Sequence, residues 1–344
     1  MSRPARLDFY PVLRPFLFRL DAEAAHRRTL SLLRLLGGSA AGRSLLRSLA
    51  GGQPSGRGVD CLGLHFSHPL GLAAGYDKDG RAMAGLACLG FSHLEVGTVT
   101  LLPQPGNSRP RLFRLEEDRA LVNRLGFPSQ GAAAVAGALA RSRSAGVIVG
   151  VNLGKGAATP IEAAADDYLS LLEVFLPLAD YLTVNVSSPN TLGLRRLQSR
   201  DHLEELLGRL RRRLDESSGK RPPLLVKLAP DLSPGELEDA LQACTGRVEG
   251  VIATNTTVSR PPLRSPRGRE SGGLSGRPLF PMALEQVKSL ARLAQGRFTV
   301  VGCGGVSSAA DVRAMLDAGA SLVQVYTALV YQGPRLVGRL LDLA

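Results

Sequence analysis

The sequence predicts an α/β protein, a TIM (β/α)8 barrel behind an N-terminal helical extension, and three observations carry that expectation. Eight short apolar runs lie at 70–74, 94–98, 147–151, 181–186, 224–228, 251–254, 299–301 and 322–326, separated by helix-length stretches. They are apolar on both faces, as parallel strands covered by helices are. Eight strand–helix units suit a closed barrel of about 250 residues with additions, whereas a doubly wound sheet more often has five or six strands.

The extension comes first. Phe9, Val12, Leu13, Phe16, Leu17 and Leu20 recur at helical spacing, with Pro11 and Pro15 shortening or kinking the segment. Asp21 is a plausible acidic cap for a second helix carrying Ala25, Leu30, Leu33 and Leu36, which Gly37 and Gly38 end. A third helix spans 40–49, and a Gly/Pro/Ser linker at 51–58 marks a boundary. Two segments are expected: 1–50, helical, and 59–344, the barrel.

Composition narrows the function. Of 344 residues, 44% are apolar and 21% charged, which describes a globular chain with a large core. Aromatics are 5% and Trp is absent, so base stacking is poorly supported and no nucleic-acid partner is expected. The four Cys form no CxxC pair, and the five His show no HxH or HExxH spacing, so no metal is expected. No apolar run approaches the roughly 18 residues of a membrane span. The net charge is +12, and residues 1–60 hold ten Arg and no Lys against four acids, half of the excess. Such a segment suits an anionic surface, nucleic acid or lipid, although 37 Arg against 5 Lys overall also fits a genome that favours Arg.

Each apolar run closes in polar or glycine residues: Gly75 to Lys78, Thr98, Asn152, Asn185, Lys227, Thr254 and Asn255, the glycines of 302–305, then Tyr326 and Thr327. In a barrel these ends meet at one face, where active sites sit. One polar end is an ordinary cap; eight in succession predict a ring of ligand-binding groups. Three of the six Asn close a run, and Asn123 and Asn190 lie in loops beside such ends. Of the five Lys, Lys78 and Lys227 lie at run ends and Lys155 just past one. The stretch VVGCGGVSS (300–308) reads as strand, glycine turn and helix start, where bare N–H groups can receive a phosphate. Phosphate plus amides, hydroxyls and ammonium groups suits flavin mononucleotide (FMN), with Lys227, or else Lys78, beside the flavin N1–C2 edge. The segment 185–190 is either a plain turn or a hydroxyl held between two amides, able to relay a proton from a carbon next to a carbonyl.

Taken together, LGLAAGYDKDG (70–80), VGTVTLLPQPGNSRPRLFRL (96–115), NRLGF (123–127), NVSSPNTLGLR (185–195), VKLAPDLS (226–233), VIATNTT (251–257), SGGLSGRPL (271–279), VVGCGGVSS (300–308) and GASLVQVYTAL (319–329) resemble the class 2, quinone-dependent dihydroorotate dehydrogenases nearly end to end. The resemblance implies oxidation of dihydroorotate to orotate in pyrimidine synthesis, with FMN as hydride acceptor and a membrane quinone as final acceptor. It assigns FMN to Ala74, Gly75, Lys78, Thr98, Asn152, Asn185, Lys227, Thr254, Gly276, Gly305, Tyr326 and Thr327. It assigns orotate to Lys78, Asn123, Arg124, Leu125, Gly126, Phe127, Asn185, Asn190, Asn255 and Thr256, and the catalytic base to Ser188. Class 1 enzymes typically carry Cys at that position. The extension would form an apolar quinone tunnel lined by His26 and Arg114. A monomer is implied, held peripherally on anionic lipid at the cytoplasmic side of the cell membrane. The chain departs from the family at Tyr76 (often Leu or Phe), Pro128 (often Asn) and Cys303 (often Val). Rival readings are an RNA-directed flavin barrel, for which +12 would be a docking charge, and a barrel that binds phosphate without catalysis.

Overall fold

The computed structural model describes residues 8–52, 54, 56–142 and 146–341; the outermost residues of both predicted segments, and Gln53 and Ser55 of the linker, lie outside them. The extension forms α1 (Tyr10–Phe18), α2 (Ala22–Gly37) and α3 (Ala40–Ala50). Pro15 lies inside α1. The Asp21 carboxylate caps α2 by accepting from Ala24 N–H at 2.9 Å, and Ser39 caps α3 through Gly42 N–H at 3.0 Å.

Small residues bring α2 onto the barrel. It crosses the short helix Met83–Ala87 so closely that a Cβ on Gly37 would lie 2.5 Å from Gly85 N, and one on Gly85 2.2 Å from Leu33 O. Glu23 of α2 accepts from Arg109 Nη2 and Arg111 Nη2, each at 2.9 Å. Burial raises the Glu23 pKa, but the two guanidiniums outweigh it and hold the carboxyl at about 2. The extension is thus bolted to the barrel by backbone packing and a charge cluster.

A hairpin of β1 (Val59–Cys61) and β2 (Leu64–Phe66) opens the second segment. Phe66 is fully buried against Leu225, Ile252, Val301 and Leu322, so the hairpin plugs the N-terminal end of the barrel. The barrel strands are β3 (Leu70–Leu72), β4 (His93–Val99), β7 (Ile148–Leu153), β8 (Tyr181–Asn185), β9 (Leu224–Leu228), β10 (Gly250–Ala253), β12 (Thr299–Cys303) and β13 (Leu322–Val325). All pairs are parallel, and the pairing of Val323 with Leu70 closes the circle. Each of the eight expected runs contains its strand or overlaps it, because two-sided burial demands near-continuous apolar sequence. A third sheet, unforeseen in the sequence, is antiparallel in the order β11 (Gly273–Gly276), β6 (Ala120–Asn123), β5 (Leu112–Leu115). Its strands belong to the β4–β7 and β10–β12 connections, beyond the C-terminal strand ends, and it contributes Asn123, Ser275 and Gly276 to a cavity there.

Candidate active site

The strand ends converge as expected. Ala74, Gly75, Lys78, Thr98, Asn185, Lys227, Thr254, Gly276, Gly305, Tyr326 and Thr327 line one cavity at the C-terminal mouth. Asn123, Leu125, Gly126, Phe127, Ser188, Asn190, Asn255 and Thr256 line it too. The four lysine and arginine side chains singled out at the run ends and the 123–127 loop divide evenly, two in the cavity and two outside it. Lys78 and Lys227 reach the cavity, whereas Lys155 donates to Gly156 O at 2.8 Å and Thr159 O at 2.5 Å and serves its own loop. The Arg124 side chain turns away from the cavity. It donates to Glu270 Oε2 at 2.8 Å and lies over the Phe113 ring, contacts that hold it outside the cavity. Asn152 lies inside β7, fully buried one layer beneath the cavity and not on its wall.

That deeper layer orders the amides. Glu95, a lone carboxylate in the apolar β4, is 2% exposed. Its Oε1 accepts from Asn152 Nδ2 at 2.8 Å, and its Oε2 accepts from Gln324 Nε2 at 2.7 Å and Tyr181 Oη at 3.1 Å. With its amide committed downward, Asn152 turns Oδ1 up to accept from Thr98 Oγ1 at 2.6 Å and Asn185 Nδ2 at 3.0 Å. Asn185 Oδ1 in turn accepts from Ser187 Oγ and Asn255 Nδ2, each at 3.3 Å. Every donor in the chain therefore points towards Glu95. Glu95→Leu would orphan two buried donors, Asn152 Nδ2 and Tyr181 Oη, and leave Gln324 Nε2 only its 3.3 Å bond to Tyr181 Oη, and an expected loss on the order of 3 kcal/mol should appear in urea unfolding. Glu95→Gln should cost less, because the Gln324 Oε1, buried and unpartnered, can turn to accept from the new amide. Sequence reading missed Glu95 and Gln324, although a single charge in an apolar strand is the signal that finds the first. Asn107 was missed as well; its Nδ2 donates to Arg124 O at 2.9 Å and Asn190 O at 3.4 Å, joining two cavity loops.

The two neighbouring serines differ. Ser187 Oγ is tied to Asn185 and accepts from Asn255 Nδ2 at 2.9 Å. Ser188 Oγ accepts from Asn190 N–H at 3.2 Å, and its own proton has no acceptor among the described residues. Burial lowers the Lys78 pKa to about 8, helped by the charges of Arg111 and Lys227. Lys227 Nζ lies 3.9 Å from Cys303 Sγ, whose thiol is raised by burial and so stays protonated.

The glycine turn fits a phosphate. Gly305 has φ +73°, and a Cβ there would lie 2.4 Å from Phe280 N; Gly276 has φ +94°, with a virtual Cβ 2.5 Å from Arg119 O. These bare backbones, with Thr327 and the amide and ammonium groups opposite, match the anionic and hydrogen-bonding edges of FMN.

A second cavity, of about 330 Å³, lies between the extension and the barrel. His26 and Arg114 both line it, among mostly apolar side chains. Burial drops the His26 pKa to about 4, so the ring is neutral at pH 7. Tyr326 lines both cavities. Among the described residues no group of His, Cys, Asp and Glu could hold a metal ion.

Residues 58–343 match the family model for dihydroorotate dehydrogenase. The chain is 49% identical to the dihydroorotate dehydrogenase (quinone) of Roseiflexus sp. (strain RS-1), covering 95% of this chain and 91% of that one. It is 52% identical to the protein of the same description from Anaeromyxobacter sp. (strain Fw109-5), covering 97% and 91%. The crystal structure of DHODH from Eimeria tenella in complex with ferulenol superposes with a TM-score of 0.85 at 35% identity, over 95% of this chain and 93% of the other. Shared barrel, shared extension and identity along nearly the whole length lead to one conclusion: the chain belongs to the dihydroorotate dehydrogenase family.

Proposed function

We propose that this chain oxidises dihydroorotate to orotate at the barrel mouth and passes the electrons to a membrane quinone in the second cavity, a step of pyrimidine synthesis. The observation that carries the reading is the pairing of two cavities, one polar with an uncommitted serine hydroxyl and one apolar, on either side of Tyr326. FMN, when bound, supplies the hydride acceptor. Gly276, Gly305 and Thr327 would hold its phosphate, and Lys227, Thr98 and Asn185 its ring edges. Asn123, Asn190, Asn255 and Thr256 would orient the substrate amides, with Lys78 opposite its carboxylate. Ser188 would take the proton from the carbon next to the substrate carbonyl, while Ser187 only braces Asn185 and Asn255. The test is an absorption spectrum under anaerobic conditions. Dihydroorotate should bleach the flavin band of the purified holoprotein, and a quinone should restore it; an oxidised spectrum that survives excess dihydroorotate sinks the reading.

The Lys78 amine adds a pH dependence. Its pKa of about 8 in the free protein means the ammonium is present at pH 7 and lost above pH 8. Affinity for the anionic product should therefore fall as pH rises past 8, by up to about tenfold per unit, in equilibrium titrations with orotate.

Membrane contact is assigned to the extension. Among the described residues, eight of the eleven exposed large apolar side chains lie within residues 9–49: Phe9, Val12, Leu13, Phe16, Leu32, Leu35, Leu45 and Leu49. Arg14, Arg27, Arg28, Arg34 and Arg43 share these helices, which suits anionic lipid. No helix among the described residues is long and apolar enough to cross a membrane. The proposed arrangement is a monomer attached peripherally through these helices at the cytoplasmic face. Replacing Val12, Phe16 and Leu35 with Asn should abolish co-sedimentation with phosphatidylglycerol vesicles while the flavin is still reduced by dihydroorotate.

A further inference from the structure

Four hydroxyl side chains line the second cavity: Tyr10, Thr29, Tyr76 and Tyr326. Three are committed to carbonyls of the chain. Tyr10 donates to Val330 O at 2.6 Å, Thr29 to Ala25 O at 3.0 Å and Tyr326 to Gly75 O at 3.4 Å. Tyr76 is 5% exposed, and its phenol has no hydrogen-bond partner among the described residues. Nor is its oxygen one of the unpartnered side-chain atoms sealed inside the protein. Tyr76 lines this cavity and not the other, so the hydroxyl opens into the apolar space.

Of the other polar groups there, Asp8 carries no donor, Arg28 is exposed to solvent, and Arg114 and His26 are weaker donors to a ligand. Arg114 is spent on the end of α1: Nη1 donates to Leu17 O at 3.3 Å, and Nη2 to Phe18 O at 3.0 Å and to Leu20 O. His26 is neutral at pH 7 and stacks edge-on against Tyr76 at 5.0 Å between ring centroids. Tyr76 in turn stacks on Tyr326 at 5.5 Å, so its phenol sits in the layer next to the flavin-side wall.

We infer that the Tyr76 hydroxyl donates the hydrogen bond that holds a quinone carbonyl at the inner end of the second cavity. In apolar surroundings one such bond is expected to change affinity about tenfold. The phenol serves as a donor and not as an acid, because burial raises its pKa above the ordinary tyrosine value. A family member with Leu or Phe at this position lacks the donor, so the contact would set quinone preference in this chain.

This inference rests on the reading of the second cavity as the quinone site, and the experiment separates the two. Tyr76→Phe keeps the ring and removes the donor; Thr29→Trp fills the cavity from its outer part. The probe is a decyl-substituted benzoquinone, with decylbenzene as a carbonyl-free match in thermal-shift titrations. Tyr76→Phe should raise the quinone KM about tenfold with kcat changed far less, and weaken benzoquinone binding but not decylbenzene binding. If Tyr76→Phe leaves the KM within about twofold while Thr29→Trp raises it, the cavity reading stands and the Tyr76 assignment falls. Equal weakening of both probes overturns it too, since packing alone would do that. If neither variant alters quinone kinetics, the quinone site lies elsewhere and both readings fail.

Discussion

Ser188→Ala is expected to slow reduction of the bound flavin by dihydroorotate at least about 10²-fold, the lower range for loss of a general base, with FMN content unchanged. The argument is one of commitment. Of the two adjacent hydroxyls, Ser187 is locked by Asn185 and Asn255, and it carries the amide chain that begins at Glu95. Ser188 has one contact, the Asn190 N–H at 3.2 Å, which leaves its proton free to move and its oxygen facing the cavity. Loss of its hydroxyl removes a single wall bond, the one from the part-buried Asn190 N–H, so orotate affinity should change by no more than about 1 kcal/mol. Ser187→Ala should give the reverse pattern: weaker orotate binding, from a loosened Asn255, with a smaller effect on the reduction rate. Stopped-flow reduction and orotate titration of both variants distinguish them. Equal reduction rates for Ser188→Ala and the parent near neutral pH would remove Ser188 from the role.

The barrel and its ring of polar ends were legible because each strand is buried on two faces and each polar end interrupts an apolar run. The extension was legible for a different reason: Asp21 and Ser39 cap their helices with the bonds their chemistry favours. What escaped depends on tertiary placement. The strand Gly273–Gly276 has two glycines in four residues and no alternation, and it exists because Ala120–Asn123 lies beside it to pair with. Membership of a motif also does not say where a side chain points. Arg124 shares its loop with Leu125 and Phe127 yet leaves the cavity for Glu270, and Asn152 sits a layer too deep because the register pairs it with Gly97 and not with a residue beyond the strand. Lys155 has the rarity of Lys78 and Lys227, but two local carbonyls claim it. Scarcity of a residue type points to a need for its charge, and only geometry says whose need that is.

Gly305→Ala is expected to strip the protein of FMN, with affinity falling at least about 10²-fold, or roughly 2.7 kcal/mol. Two costs act together. The φ of +73° is one that an alanine adopts poorly, and the new methyl would sit 2.4 Å from Phe280 N and 2.7 Å from Phe280 Cα, the start of the helix Phe280–Ala294. Backbone on both sides leaves nothing flexible to yield, so the turn must move, and the N–H groups proposed to hold the phosphate would move with it. Gly304→Ala should act in the same direction and no less strongly: its φ of +136° suits an alanine even less, and its methyl would sit 2.8 Å from the Ala283 Cβ, an atom fixed to its own backbone. Gly338→Ala provides the contrast, since a Cβ there meets nothing within 4 Å. The readouts are flavin fluorescence on dilution and circular dichroism of the flavin-free protein. A colourless but folded Gly305→Ala protein assigns the phosphate to this turn. A yellow one with the affinity of the parent would mean that the phosphate is held by other backbone, and that the glycines at 304 and 305 serve only the close approach of strand β12 to the helix that precedes it.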